Sequence, residues 1–84
     1  MKNIIMYTGP MCNFCDAAKR LLVRNNLSYK EIDISTKDGL RDEMIEKSNG
    51  KRTIPQIFFD EKHIGGYVEL RELEKNNQLL DIIK

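Results

Sequence analysis

Apolar and polar positions recur along the first half of the chain with the two spacings that distinguish strands from helices. An apolar, β-branched run at residues 2–7 stops at Thr8-Gly9-Pro10 and predicts a short buried strand. Apolar residues then recur at helical spacing from about Asn13 to Asn25-Asn26, and residues 29–34 alternate as a second strand. The first half therefore predicts a strand, a helix and a strand.

The second half begins with a helix and continues with a hairpin and a last helix. Ser35 and Asp38 resemble a capping box ahead of an amphipathic helix that stops at residues 48–50. Residues 54–59 and 63–64 predict two strands paired through a polar turn. A last helix starts at about Tyr67, and the buried positions expected in it and in a terminal turn are Val68, Leu70, Leu73, Leu79, Leu80, Ile82 and Ile83.

This order of elements predicts how the sheet is built. A βαβ unit makes a right-handed parallel crossover, and a further helix followed by a ββα unit adds an antiparallel hairpin. We therefore expect an α/β protein with a four-stranded mixed sheet flanked by three or four helices, in the thioredoxin-like order. With 84 residues and no repeat or linker, residues 1–84 are expected to form a single domain.

The charge balance excludes some classes of partner. Lysine and arginine total 14 against 13 aspartate and glutamate residues, so the formal charge is +1 and no bulk field directs the protein to nucleic acid or membranes. The apolar stretch at residues 4–7 is far shorter than a signal-peptide core or a membrane span. We expect a cytoplasmic monomer with no nucleic-acid or membrane partner.

The only cysteines, Cys12 and Cys15, stand where the first strand gives way to the first helix. At this spacing two sulfurs can close a disulfide or open into a dithiol, and a helix N-terminus favours the anion of the first thiol. A structural disulfide and half of a zinc site are the alternatives. Stable disulfides are uncommon in the cytoplasm, and the single histidine, His63, is expected at the surface, so context favours a redox pair.

We expect Cys12 to attack and Cys15, one turn further in and more buried, to resolve. Asp16 lies four residues after Cys12 on the same helical face, where its carboxylate opposes a lowered thiol pKa. Lys19 and Arg20 are close enough in sequence to offset it. The hypothesis is a markedly acidic Cys12, and a thiolate titration of Cys15→Ser with a midpoint near that of free cysteine would refute it.

Two later segments add backbone groups to this chemistry. Pro55 lies near the start of a strand whose apolar pattern is otherwise typical of a central, buried strand. Proline is unusual there because it cannot donate a hydrogen bond to a neighbouring strand. If the Ile54-Pro55 bond is cis, the backbone N–H and C=O of Ile54 turn outward and can pair with an extended peptide; a trans proline at a strand edge is the alternative. Gly65-Gly66, before the last helix, offers N–H groups to a carboxylate, although most such pairs are only tight turns.

The chain resembles the dithiol glutaredoxins, especially the short bacterial type, and the motifs that carry the resemblance are Tyr7-Thr8, Cys12-x-x-Cys15, Thr53-Ile54-Pro55-Gln56-Ile57-Phe58 and His63-Ile64-Gly65-Gly66. The resemblance implies a glutathione-dependent thiol-disulfide oxidoreductase that reduces glutathione mixed disulfides and protein disulfides. Its partners would be glutathione and glutathionylated or disulfide-bonded proteins such as ribonucleotide reductase, with glutathione reductase acting indirectly. This chemistry has no obligatory metal.

The same resemblance implies a set of glutathione-binding residues. Thr53, Ile54 and Pro55 would hold the cysteinyl part, and Phe14 would offer an aromatic surface. The γ-glutamyl end would meet the residues at the start of the last helix, which are Gly66, Tyr67, Val68 and Glu69. Tyr67 replaces a residue that is usually small in the family, and Val68 replaces one that is usually polar or acidic, which leaves Glu69 as the main side-chain partner of the ammonium group.

Two departures from the family pattern bear on function. Gly9 stands where the family usually has a lysine for the glycyl carboxylate, so Lys51 or Arg52 is expected to supply the charge, and replacing either with alanine should raise the Michaelis constant for glutathione. Asn13 replaces the usual proline of the motif. Some members without that proline share a [2Fe-2S] cluster between two subunits, ligated by the first cysteine and by glutathione.

Two other functions therefore stay open. One is a glutathione-ligated [2Fe-2S] carrier, and the other is a redoxin that is reduced by thioredoxin reductase. The retained Cys15 favours the enzyme over the carrier, and the turn at residues 65–69 argues for glutathione. Anaerobic cluster reconstitution with glutathione tests the first alternative, because a cluster-bridged dimer absorbs visible light.

Overall fold

The computed structural model describes residues 1–84 and contains four strands and four helices. The strands are β1 Ile4–Thr8, β2 Lys30–Asp33, β3 Gln56–Phe59 and β4 Lys62–Gly65. The helices are α1 Asn13–Arg24, α2 Leu40–Lys47, α3 Tyr67–Lys75 and α4 Leu79–Ile83. None of the helices has the length and apolar character needed to cross a membrane.

The strands form one mixed sheet in the order β2-β1-β3-β4. β1 is parallel to β2 and antiparallel to β3, and β4 pairs antiparallel with β3 at the edge. The register places Tyr7 opposite Gln56, so the end of β1 lies beside the start of β3. The segments at 9–12 and 53–55 therefore lie side by side at the same end of the two central strands. The predicted thioredoxin-like architecture is confirmed.

Two apolar clusters cover the faces of this sheet. The larger one takes its buried residues from β1, β3, α1, α3 and α4 and the Leu27 turn, whereas the smaller one consists of Tyr7, Met44 and Phe58 beneath α2. A fully buried aliphatic side chain contributes about 1.5–3 kcal/mol. Four residues of α1 are buried but only Met44 of α2, so α1 is the more firmly anchored helix.

The expected capping box at Ser35 and Asp38 is wrong. Both the N–H and the hydroxyl of Ser35 donate to Asp33 Oδ1, at 2.9 and 2.6 Å, so Ser35 belongs to a turn at the end of β2. α2 begins later, at Leu40, and its N-cap residue is Gly39, whose φ is +90°. Glycine adopts such a positive φ without a steric penalty, because it has no Cβ.

Two residues expected to be buried are exposed. Val68 and Leu80 retain 61% and 53% of their accessible surface. Leu70 is the buried residue of α3, and Val68, two positions earlier, points about 200° around the helix from it. β3 also starts at Gln56 rather than at residue 54, because Ile54 and Pro55 lie outside the ladder.

Candidate active site

Cys12 and Cys15 meet at the N-terminus of α1. Cys12 is the N-cap residue, with φ −116° and ψ 100°, and its Sγ accepts a hydrogen bond from the N–H of Cys15 at 3.1 Å. The two sulfurs are joined in a disulfide, with the Cα atoms 5.2 Å apart. Cys12 is partly exposed, whereas Cys15 retains 1% of its accessible surface. Solvent and substrates therefore reach the first sulfur and not the second.

Lys19, one of the two cations expected to act near Cys12, pairs with a carboxylate of β2. Lys19 Nζ forms an ion pair with Glu31 Oε2 at 2.7 Å, and the buried Thr8 hydroxyl donates to the same oxygen. This hydrogen bond from Lys19, assisted by Thr8, lowers the pKa of the Glu31 carboxyl. Lys19 is thus paired with Glu31, and it also lies close enough to Asp16 for that carboxylate to raise the pKa of Lys19. The effect of Lys19 and Arg20 on the Cys12 thiolate stays a prediction, whereas the helix N-terminus favours that thiolate directly.

The segment before β3 lies against Cys12. The Ile54-Pro55 bond is cis, and the carbonyl oxygen of Ile54 lies 3.8 Å from Cys12 Sγ. Neither the N–H nor the C=O of Ile54 forms a backbone hydrogen bond within the protein. Both groups are therefore free to pair with an extended chain laid beside the sulfur.

The glycine pair allows α3 to approach this segment. A Cβ on Gly66 would lie 3.3 Å from the carbonyl oxygen of Pro55, and Gly65 has φ +123°. The N–H of Gly66 donates to Glu69 Oε1 at 2.7 Å, so Glu69 caps its own helix with one oxygen. The N–H groups of Tyr67 and Val68, in the first turn, have no acceptor within the helix and remain available to an anion.

A groove of about 310 Å³ runs between these elements. The ring of Phe14 stacks on that of Tyr67 with their centroids 6.0 Å apart and an interplanar angle of 18°, which forms one wall. Arg52 lies outside the groove; its side chain is exposed and its carbonyl accepts from Arg41. The residues that line the groove are Phe14, Thr53, Ile54, Pro55, Gly66, Tyr67, Val68 and Glu69.

A second groove adjoins the first and contains Lys51. It shares Thr53, Gly66 and Glu69 with the first groove, and its other lining residues are Lys51, Gln56, His63, Ile64 and Gly65. Of the two cations expected to replace the missing lysine, Lys51 therefore borders the site and Arg52 does not.

Gly9 is matched to Ile54. A Cβ on Gly9 would lie 2.6 Å from Ile54 Cδ1, so the isoleucine side chain occupies the space that a side chain at residue 9 would need. The sequence identified Gly9 as a missing charge but did not show this packing. The match becomes visible only when β1 and the segment before β3 are placed side by side.

Gln56 and His63 are neighbours of the site that the sequence did not single out as functional. Gln56 is buried, and His63 is half-buried, with its ring centroid 4.9 Å from that of Phe58. Burial lowers the pKa of His63, so the expectation of an ordinary surface histidine is wrong. A polar glutamine at the start of a buried strand was the one available signal.

Comparisons with known proteins agree with this geometry. The family model described as Glutaredoxin matches residues 4–64. The chain is 42% identical over 80 residues to Glutaredoxin 1 of Rickettsia conorii, covering 94% of this chain and 78% of that protein. It is 39% identical over 84 residues to Glutaredoxin 3 of Escherichia coli, covering 100% of both. The solution structure of glutaredoxin from Brucella melitensis superposes with a TM-score of 0.86 at 42% identity, covering 100% of this chain and 90% of that one.

Proposed function

This chain belongs to the glutaredoxin family and is a thiol-disulfide oxidoreductase, and we propose that glutathione is its reductant and part of its substrate. The observation that carries the proposal is the position of Cys12 Sγ, 3.8 Å from the free carbonyl of Ile54, in front of a groove with unpaired N–H groups at its far wall. A γ-linked tripeptide with a central thiol needs these features together.

The proposed reaction begins from the reduced form. The Cys12 thiolate attacks the glutathionyl sulfur of a mixed disulfide, so that a Cys12–glutathione bond forms while the substrate leaves as a thiolate and takes up a proton. A second glutathione thiolate then attacks the glutathionyl sulfur on Cys12. This step releases oxidised glutathione and regenerates the Cys12 thiolate.

Cys15 serves a second route, in which the substrate is a protein disulfide. Cys12 attacks one substrate sulfur, and the Cys15 thiolate then attacks Cys12 Sγ, which releases the reduced substrate and closes the Cys12–Cys15 disulfide. Glutathione reopens that disulfide. Met11 and Phe14, which flank Cys12 in the sequence, and Val68, which lines the groove with Phe14, have exposed side chains that offer an apolar surface to protein substrates.

Each part of glutathione has a proposed place in the groove. The backbone of Ile54 pairs with the cysteinyl residue, and the N–H groups of Tyr67 and Val68 accept the γ-glutamyl carboxylate. Glu69 uses one oxygen for the Gly66 N–H, which leaves the other for the ammonium group. Lys51, from the adjoining groove, is the proposed partner of the glycyl carboxylate.

The remaining partners follow from this chemistry as part of the proposal. Glutathionylated and disulfide-bonded proteins of the cytoplasm are the substrates, and an NADPH-dependent glutathione reductase renews the glutathione. The chain contains no cluster of three or more histidine, cysteine, aspartate or glutamate residues that could hold a metal ion. A [2Fe-2S] cluster would take Cys12 from this chain and its other ligands from outside it.

The test is turnover of a small glutathione mixed disulfide with two alternative electron donors. With glutathione, glutathione reductase and NADPH, we expect steady NADPH consumption that scales with enzyme concentration. With thioredoxin reductase and NADPH but no glutathione, we expect none. Turnover with thioredoxin reductase alone would instead identify the protein as a redoxin of a different electron pathway.

A further inference from the structure

The segment that would hold the cysteinyl part of glutathione has few restraints of its own. Thr53 and Ile54 lie outside β3, and no backbone hydrogen bond involves Ile54. A binding edge of this kind is effective only if its carbonyl and N–H groups are held in place before the substrate arrives, since ordering them during binding costs free energy. Something outside the segment must therefore fix it.

Gln56 makes that connection. Its side chain is 3% exposed, and Nε2 donates to the carbonyl oxygen of Thr53 at 2.9 Å and to Thr53 Oγ1 at 3.1 Å. A carbonyl oxygen cannot donate, so the amide nitrogen must face Thr53 and the amide oxygen must face the other way. The amide nitrogen of one buried side chain is thus bonded to two oxygens of a single residue of the binding edge.

His63 holds Gln56 in turn. His63 Nε2 lies 2.6 Å from Gln56 Oε1, and because that oxygen only accepts, Nε2 carries the hydrogen. The imidazole packs on the ring of Phe58 at an interplanar angle of 32°, and Phe58 pairs with His63 on one side and with Ile5 of β1 on the other. No buried side-chain nitrogen or oxygen in the protein lacks a hydrogen-bond partner, so this chain of bonds is complete from β4 to Thr53.

We propose that Gln56 and His63 are positioning residues for glutathione, which hold Thr53 so that the backbone of Ile54 faces Cys12 and the incoming glutathionyl group. The inference rests on the proposed function. Neither side chain touches the reacting sulfur. Their contribution is to substrate binding through Thr53, and the intrinsic reactivity of Cys12 does not depend on them.

The experiment compares Gln56→Met, which keeps the volume and loses every hydrogen bond, with His63→Phe, which keeps the ring on Phe58 and loses only the donor. Steady-state kinetics use a glutathionylated peptide with glutathione, glutathione reductase and NADPH. We expect Gln56→Met to raise KM by about three- to tenfold, a binding loss about as large as the net value of one hydrogen bond. We expect kcat to change by less than about twofold. His63→Phe should change KM in the same direction and by less.

A second readout separates positioning from loss of fold. In a Cys15→Ser background, alkylation of Cys12 by iodoacetamide needs the thiolate but not the Ile54 edge, so its rate should be the same with and without Gln56→Met. Asn25→Ala is the matched control, because it removes partly buried hydrogen bonds to Leu21 and Glu74 away from the groove. It should lower the melting temperature and leave KM unchanged.

Two results would overturn the inference. An unchanged KM in Gln56→Met and His63→Phe, with only the melting temperature lowered, would show a purely structural role. Equal falls in alkylation rate and in turnover would place the effect on Cys12 itself. If the wild-type protein shows no glutathione-dependent turnover, the proposed function itself is refuted. That result is obtained before any variant is compared.

Discussion

Cys12 illustrates how a single residue takes its chemistry from the end of a helix. Cys12 is the N-cap residue, and its sulfur accepts a hydrogen bond from the N–H of Cys15. The positive end of the α1 dipole also favours a negative charge on that sulfur. One of the two cations that sequence proximity suggested as helpers, Lys19, also pairs with Glu31. Spacing along the chain predicted the position of Cys12 at the helix N-terminus but not this ion pair, because an ion pair depends on which strand lies beside the helix.

The packing of Gly9 against Ile54 leads to a prediction about the missing lysine. In Gly9→Lys, the new Cβ would meet Ile54 Cδ1 at 2.6 Å, so the isoleucine must turn aside and disturb the groove. We expect little or no fall in the KM for glutathione. In Gly9→Lys combined with Ile54→Val, which lacks that atom, KM should fall by about two- to fivefold, the value of a weak exposed ion pair.

The control for this pair is Ile54→Val alone, which should change KM by less than the double variant. The coupling is measured as the double-variant effect minus the sum of the two single effects. Additive effects would show that the two positions are independent.

His63 gives a prediction about pH. Burial lowers its pKa from the ordinary value of 6.5, more strongly than nearby Glu69 raises it, and Lys51 lowers it further. Below about pH 6.5 the unfolded chain binds a proton that the folded protein resists, so stability should fall as the pH drops through this range. His63 is the only histidine, so His63→Phe should flatten the curve of unfolding free energy between pH 7 and pH 5.5 (urea titration). An unchanged slope would contradict the assignment.

Among the elements, α1 and α3 contact each other at two places, and only the first of them borders the groove. Phe14 on α1 stacks on Tyr67 of α3, and further along the same helices Arg24 forms two hydrogen bonds with Glu74, at 2.9 and 2.6 Å. Asn25 and Arg71 also contact Glu74. Helical periodicity predicted both helices and their starts. It did not predict this polar clamp of Arg24, Asn25, Arg71 and Glu74, because a sequence pattern does not show which polar residues of two helices face each other.

The clamp predicts a loss of stability in acid. The bond with Arg24 lowers the pKa of Glu74 from 4.5 to about 2, so its contribution is complete above about pH 4.5 and disappears as the pH falls through about 2. After allowance for solvent screening, we expect Glu74→Gln to cost about 1–2 kcal/mol of unfolding free energy at pH 7. Asp81→Asn, in the exposed pair with Lys84, is the control and should cost almost nothing.

As the pH falls from 4.5 towards 2, the stability gap between the wild type and Glu74→Gln should narrow, since the unfolded chain takes up a proton at Glu74 that the folded protein resists. Chemical denaturation at pH 7 and pH 2.5 measures both differences. A gap of equal size at the two pH values would show that charge is not the cause.

Over the whole molecule, the order of strands and helices could be predicted because each element carries its own periodicity. The site could be predicted in outline because three short motifs, at residues 12–15, 53–56 and 65–66, each carry a chemical or backbone signature. The predicted helix and strand boundaries were wrong where a side chain bonds to the backbone, as where Asp33 accepts the N–H of Ser35. The bonds from His63 through Gln56 to Thr53 could not be read from sequence, since they require β3 and β4 to be paired first.

The most direct test of the central claim is the glutathione-coupled assay on the wild type, Cys12→Ser and Cys15→Ser. With a glutathione mixed disulfide as substrate, the account predicts that Cys12→Ser loses turnover completely and Cys15→Ser retains it, because Cys12 is partly exposed and its sulfur lies beside Ile54, which lines the groove. With a protein disulfide as substrate, both variants should lose most of their activity. Turnover that survives in Cys12→Ser and disappears in Cys15→Ser would contradict the account.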